Sequence, residues 1–267
     1  MSARVETQQH IETAPCPVCH TLNSKTYLCV PDRFALEKGN RFSLVQCQEC
    51  TLIYLNPRPV EEASAAFYEN EEYTPFVSAQ STQSGFDKIY QRIRKYNNSW
   101  KRRLIERNTP EKGSLLDVGC GTGEFIAEMA RSGWQTRGLE RDPKAAAYAV
   151  GELELDVICG TLDAMPSAPE SYDVVTMWHV LEHLYEPHRA LVQIRETLKS
   201  GGLLVLAAPN ANSLDAKFYK ENWVAYDAPR HLQHFTLKSL RSLCEMHNFT
   251  LVKKMLLPVD CYFNALM

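Results

Sequence analysis

No run in the 267 residues approaches the roughly 18 consecutive apolar residues of a membrane-spanning helix. The first ten residues, Met-Ser-Ala-Arg-Val-Glu-Thr-Gln-Gln-His, also lack the apolar stretch of a secretory leader. From these two absences a cytoplasmic protein without a membrane span is expected. Large net charge is missing as well: the chain carries −3 at pH 7, with a sequence pI near 6.3, so it has no overall field to draw nucleic acid. With 45% hydrophobic and 23% charged residues the composition is that of a globular chain. Two nucleotide fingerprints are absent from the glycine-rich stretch Leu-Leu-Asp-Val-Gly-Cys-Gly-Thr-Gly-Glu at 115–124. G-x-G-x-x-G fails because Glu124 stands three after Gly121, and no Gly-Lys-Ser/Thr follows.

What that stretch does contain is an apolar run ending in Asp117, then Gly119, Gly121 and Gly123, then a helix-compatible segment from Glu124. It reads as strand, tight turn and helix start. Glycine lets the main chain approach a ligand, and the first helical turn offers free N–H groups. Carboxylates at the strand end and the helix start favour a cationic ligand over a pyrophosphate.

The stretch resembles motif I of the class I S-adenosylmethionine-dependent methyltransferases, and further segments follow in that family's register over about 86–257. A second strand at 134–139 ends at Glu140, a third spans 155–159, a fourth 171–178, and a glycine turn at Gly201-Gly202 precedes a fifth at 203–208. The resemblance implies an α/β fold with a doubly wound, mostly parallel, Rossmann-like sheet, and S-adenosylmethionine as cofactor. Carried over position by position, Asp117, Gly119, Cys120, Gly121, Thr122 and Gly123 line the cofactor, Glu140 with Arg141 takes the ribose, and Leu162 and Asp163 the adenine. His179 closes the site. Asp163 also reads as a cap of the following turn. Cys120 and Cys159 read as small buried residues. A sixth strand is expected at 250–257. The family's sheet usually ends in a hairpin with a seventh, which is not evident before Met267, and a shortened chain and an unusual sheet edge both remain open.

Ahead of this domain, Cys16-Pro-Val-Cys19 and Cys47-Gln-Glu-Cys50 form two C-x2-C knuckles separated by 27 residues with strand character. Two knuckles complete a closed tetrahedral Zn²⁺ shell, so Cys16, Cys19, Cys47 and Cys50 predict a structural zinc. His20 and Cys29 read as bystanders. The pair followed by Asn-Pro-Arg-Pro resembles a group of bacterial zinc-ribbon methyltransferases, often associated with surface polysaccharides and secondary metabolites. The expected domains are a disordered tail at 1–13, the ribbon at 14–59, a helical linker and cap at 60–108, and the methyltransferase domain at 109–267.

Within the linker, Ile89, Ile93, Tyr96, Trp100 and Leu104 recur at helical spacing and predict one apolar face. Eight Lys and Arg oppose Glu106 alone between 88 and 107. That basic side reads as a solvated face or as a surface for an anionic acceptor. His179, Glu182 and His183 spell H-x-x-E-H. Some methyltransferases of quinone precursors and small-RNA ribose hydroxyls carry a similar Glu-x-x-Glu-His that binds a divalent cation, but here His179 replaces the first acid, so metal, general-base and packing roles all stay open. The segment Asn-Trp-Val-Ala-Tyr-Asp-Ala-Pro-Arg-His-Leu-Gln-His-Phe-Thr (222–236) resembles the Asp-x-Pro-Arg-His-Leu-x-x-Phe segment of the same bacterial group. It reads as an acceptor-site lid or as an aromatic plug. As a lid it offers His231 and His234 as bases and Arg230 as an anion clamp. The acceptor-side candidates are therefore His179, His183, Arg230, His231 and His234.

The expected function is methyl transfer to an oxygen or carbon of a small polar metabolite or a glycosyl or lipid-linked precursor. The alternatives are an RNA-directed methyltransferase whose ribbon holds RNA and a cofactor-binding pseudoenzyme serving as an interaction module. Near-balanced charge between 16 and 50 argues against nucleic acid as a partner. Oligomeric state is not legible.

Overall fold

In chain order the strands and helices are β1 (Ile11–Glu12), β2 (Ser24–Pro31), β3 (Arg41–Cys47), β4 (Ile53–Leu55), β5 (Arg58–Pro59), α1 (Gly85–Glu106), β6 (Ser114–Val118), α2 (Glu124–Arg131), β7 (Gln135–Glu140), α3 (Pro143–Gly151), β8 (Val157–Cys159), β9 (Tyr172–Trp178), α4 (Pro187–Thr197), β10 (Leu198–Ala207), α5 (Leu214–Tyr219), β11 (Gln233–His234) and α6 (Leu237–Met246). This computed structural model describes residues 10–68, 85–165 and 169–257. Of the expected helical linker and cap at 60–108, residues 69–84 fall outside the described residues.

The chain forms two compact units, and they divide elsewhere than the sequence suggests. One holds, among the described residues, 10–68, 181–191 and 208–257; the other holds 85–165, 169–180 and 192–207. The stretch expected as a single domain over 109–267 is thus shared between them.

The second unit carries a five-stranded parallel sheet in the order β10-β9-β6-β7-β8. From β6 the chain winds to β7 and β8 on one side and later to β9 and β10 on the other, so the switch point lies between β6 and β9. Ile105, Leu115, Phe125, Ile126, Met129, Trp134 and Val174 form its core. Asp142 caps α3, accepting from the N–H groups of Lys144 and Ala145, with Pro143 at the first helical position.

The predicted apolar face of α1 is offset. Ile93 and Tyr96 are exposed, whereas Lys101 and Ile105 are buried. Arg94 pairs with Glu124 at 2.6 Å, Arg102 with Glu128 at 3.1 Å, and Lys101 Nζ lies 4.4 Å from the Trp178 ring centroid. Part of the basic run therefore meets the acids of α2. Those cations are drawn inward by charge, and the helix rotates away from its aliphatic stripe.

The first unit holds a four-stranded antiparallel sheet in the order β11-β4-β3-β2. Its outer strand, β11, comes from the segment read as a lid. Leu232 locks it in: its N–H donates to the Glu182 carbonyl at 2.8 Å, and its carbonyl accepts from Leu55 N–H at 2.9 Å. Val30, Leu44, Ile53, Leu55, Trp223 and Tyr226 share one core, so ribbon and lid segment bury each other. The aromatic-rich stretch is apolar because it is a core wall of this unit.

Three expectations need correction. Residues 11–12 are not part of a disordered tail: they pair with β5, and Arg58 Nε donates to Glu12 at 2.7 Å. No strand forms at 250–257, where Leu251, Val252, Met255 and Leu256 are exposed. Cys159 is exposed, because it is the last residue of the outer strand β8; Cys120 is buried.

Candidate active site

The cofactor-side candidates gather at the carboxyl ends of the parallel strands. Asp117 lies on β6 and is 2% exposed, and Thr176 Oγ1 on β9 donates to it at 2.5 Å. Burial pushes its carboxyl up to about 7, against the Thr176 hydrogen bond and the Lys101 charge, which pull it down. Glu140 ends β7. One of its oxygens accepts from Gly121 N–H and the other from Asp142 N–H, each at 2.8 Å, so it ties the glycine loop to the next turn. Gly119 has φ of 73°, and a Cβ there would stand 2.4 Å from Val180 Cγ2. Gly121 has φ of 56° and open space where a side chain would be, and Gly123 at φ 84° starts α2.

The other candidates are placed as follows. Cys120 is buried, and burial raises its thiol far above the usual range. Thr122 donates to Glu124 at 2.7 Å. Arg141 is exposed. Leu162 and Asp163 form the turn after β8; the Leu162 carbonyl accepts from Gln193 at 3.3 Å, and Asp163 is exposed. His179 follows β9 with φ of 58°, and its N–H donates to the Ala207 carbonyl. Beside it, Trp178 packs edge-on against Phe125 at 5.5 Å, and its Nε1 is buried without a hydrogen-bond partner among the described residues. Sequence reasoning missed Thr176 and Lys101. A threonine inside an apolar strand was the signal available, since a fully buried hydroxyl needs a partner.

The acceptor-side candidates other than His179 lie in the first unit. His183 and His231 meet edge to face at 4.5 Å, and His231 and His234 are 6.4 Å apart. Arg230 is not an open clamp. It is 2% exposed, donates to Asp227 at 2.8 and 3.1 Å and to Asp32 at 3.0 Å, and lies over the Phe34 ring at 4.6 Å. Its fork is fully engaged because the segment is packed into the core. Sequence reasoning missed Asp32, 198 positions away and without any local pattern.

Desolvation lowers His183 to about 4 and His234 to about 3, with the neighbouring His231 adding to both shifts. Both rings are therefore neutral in the folded protein near neutral pH, and the unfolded chain binds their protons first. The stability they contribute is present above about pH 6.5 and is lost as pH falls toward 4 and 3. Asp117 acts in the opposite sense, since its raised value favours the fold at low pH and loses that contribution as pH rises through about 7. Urea unfolding between pH 7 and 4 should show the histidine-driven loss, on the order of a few kcal/mol, and a His183→Gln, His234→Gln variant should lack it. An unchanged slope in that variant would assign the loss to other groups.

At the ribbon, Cys16 and Cys50 Sγ are 3.4 Å apart, as are Cys19 and Cys47, and all four sulfurs lie within 4.8 Å of one another. A tetrahedral Zn–S bond of about 2.3 Å needs sulfurs roughly 3.8 Å apart, so the cluster fits that ion. The N–H groups of Glu49 and Cys50 point at Cys47 Sγ, as a thiolate requires. His188 Nε2 donates to the Val18 carbonyl at 2.9 Å and leaves Nδ1 to accept from His247, so a later segment braces the first knuckle. His20 stacks on His188 at 4.8 Å.

Residues 90–254 match the family model described as a methyltransferase domain. The chain belongs to that family, and its strand order and glycine turn are those of the class I S-adenosylmethionine-dependent methyltransferases. It is 36% identical over 103 residues to a ubiquinone biosynthesis O-methyltransferase of Cereibacter sphaeroides, covering 37% of this chain and 42% of that one. With the mitochondrial ubiquinone biosynthesis O-methyltransferase of Schizosaccharomyces pombe it shares 35% over 109 residues, 38% of this chain and 40% of that one. The chain thus spans less than half the length of these relatives. A solved S-adenosylmethionine-dependent methyltransferase of Archaeoglobus fulgidus overlaps 64% of this chain and 76% of its own, with a TM-score of 0.50 and 22% identity, a likeness of fold. Among the described residues no helix is long and apolar enough to cross a membrane.

Proposed function

We propose that the protein transfers a methyl group from S-adenosylmethionine to a hydroxyl oxygen of a small molecule. The observation that carries this reading is the pair of buried carboxylates, Asp117 and Glu140, on either side of an open Gly121 at the switch point of the sheet. The names of the curated relatives support oxygen as the acceptor atom. When bound, the cofactor supplies an electrophilic methyl carbon. Glu140 holds the ribose hydroxyls, Asp117 faces the cationic amino acid end, and Leu162 and Asp163 take the adenine. Phe125 and Trp178 exclude water. His179 is proposed on the acceptor side, whereas His183, His231 and His234 belong to the other unit. Arg230 is assigned instead to holding the segment that carries two of them. The zinc held by the four cysteines is structural, since no coordination position stays open.

S-Adenosylhomocysteine should raise the melting temperature, and more strongly as pH rises through about 7, where Asp117 becomes an anion for the ligand's ammonium. Glu140→Ala should weaken binding by about 1–3 kcal/mol. Stabilisation by NAD and none by S-adenosylhomocysteine would overturn the cofactor assignment. With labelled cofactor and a cell extract, label is expected in the small-molecule fraction. Label in RNA would replace the acceptor class, and no label with intact binding would favour a pseudoenzyme.

A further inference from the structure

We propose that Lys101 and Trp178 form a carboxylate subsite beside Asp117, so that the pocket selects its ligand by a zwitterionic amino acid end of which Asp117 takes only the ammonium half. The ligand's class rests on the methyl-transfer reading; the subsite itself is built from α1, β6 and β9. Thr176 stands opposite Asp117 in the register of β6 and β9 and donates to it. Trp178 is two residues further along β9, so its side chain leaves the sheet on the same face as Thr176, about 7 Å nearer the carboxyl edge. Lys101 Nζ lies over that ring, 4.4 Å from its centroid.

Lys101 is 8% exposed, and a lysine so enclosed needs compensation for its charge. Helix α1 is fixed to α2 by the Arg94–Glu124 and Arg102–Glu128 pairs, and Ile105, one turn beyond Lys101, is fully buried in the core with Leu115 and Phe125. The helix therefore delivers the ammonium to a set place. Its charge reaches Asp117: burial raises that carboxyl, and the Thr176 hydrogen bond and Lys101 draw it back. Trp178 brings a second donor, since its Nε1 is buried and has no hydrogen-bond partner among the described residues. A buried N–H left unpaired costs stability, and an acceptor arriving with the ligand removes that cost.

An α-amino acid carries its ammonium and its carboxylate on one carbon. A ligand that sets its ammonium on Asp117 therefore brings a second carboxylate close to the first, and in a buried site the two repel unless a cation stands beside them. Lys101 is that cation. Its contact with the indole face is weaker than a charge-assisted hydrogen bond, so a carboxylate within reach of the flexible lysine stem draws the ammonium from the ring.

The test is calorimetric titration of the full, zinc-loaded chain with three nucleosides: S-adenosylhomocysteine, its decarboxylated analogue, which keeps the amine, and 5′-methylthioadenosine, which lacks the amino acid end. The unaltered chain is expected to bind S-adenosylhomocysteine about ten- to a hundredfold more tightly than the decarboxylated analogue. Lys101→Met should remove most of that gap by weakening S-adenosylhomocysteine, while 5′-methylthioadenosine keeps its affinity. Lys101→Arg should restore part of the gap, and Trp178→Phe, which keeps a ring face and loses the N–H, should narrow it by less than Lys101→Met. Arg92→Ala, which removes an exposed cation of the same helix, should change nothing and so separates the subsite from net charge. The first comparison needs no substitution and stands even where a variant fails to fold. Equal affinity of the unaltered chain for S-adenosylhomocysteine and its decarboxylated analogue, or a loss in Lys101→Met shared by all three nucleosides, overturns the subsite and leaves the cofactor assignment in place. Failure of all three to bind the unaltered chain overturns the methyl-transfer reading and the subsite with it.

Discussion

Cys47→Ser should yield a protein without zinc in which the whole first unit, and not the ribbon alone, is unfolded. Cys47 ends β3, the strand that pairs with β2 on one side and β4 on the other, and β4 in turn holds β11. An ion bound by four cysteines contributes on the order of 10 kcal/mol, comparable with the entire stability of an ordinary domain. Losing it releases the sheet and, with it, Leu232 and the His183–His231 pair. The parallel sheet has its own core around Leu115, Ile126 and Met129, so the melting-temperature shift with S-adenosylhomocysteine should survive. Metal analysis, together with hydrogen exchange resolved by segment, checks both halves. Zinc-free protein with full exchange protection at 41–55 and 231–235 would remove the metal from the account of stability.

Arg230→Ala should cost about 3–5 kcal/mol of stability, because it strands two buried carboxylates, Asp32 and Asp227, without their guanidinium. Arg230→Lys should restore little, since one ammonium cannot replace a fork that reaches both acids together with the Phe67 and Ala228 carbonyls. Urea unfolding of the three proteins decides it. A variant as stable as the parent but lacking turnover would return Arg230 to the acceptor side.

These two results bear on what local pattern can and cannot reveal. The order of the parallel strands and Glu140 were legible through the family resemblance, whereas the motif I glycines, Asp117 and each cysteine knuckle lie within short spacings. There the geometry follows from adjacent residues: positive φ at a turn, an acid at a strand end, two thiols on one knuckle. Strand β9 was legible from the register of segments that follows the glycine turn. The α1 face was misread by its aliphatic spacing, because pairing of Arg94 and Arg102 with Glu124 and Glu128 on another helix governs its rotation.

By itself, then, the sequence determined the glycine turn and the two cysteine knuckles, since each arises from residues a few positions apart, and the family resemblance it carries implied the parallel sheet. Only the tertiary structure decided what the histidine- and arginine-rich segment does. Arg230 finds Asp32 from 198 positions away, β11 completes a sheet begun before residue 56, and His231 joins Glu182 and His183 across 48 positions. Such pairings are chosen by burial and charge compensation once the chain has folded back on itself, and no local spacing encodes them.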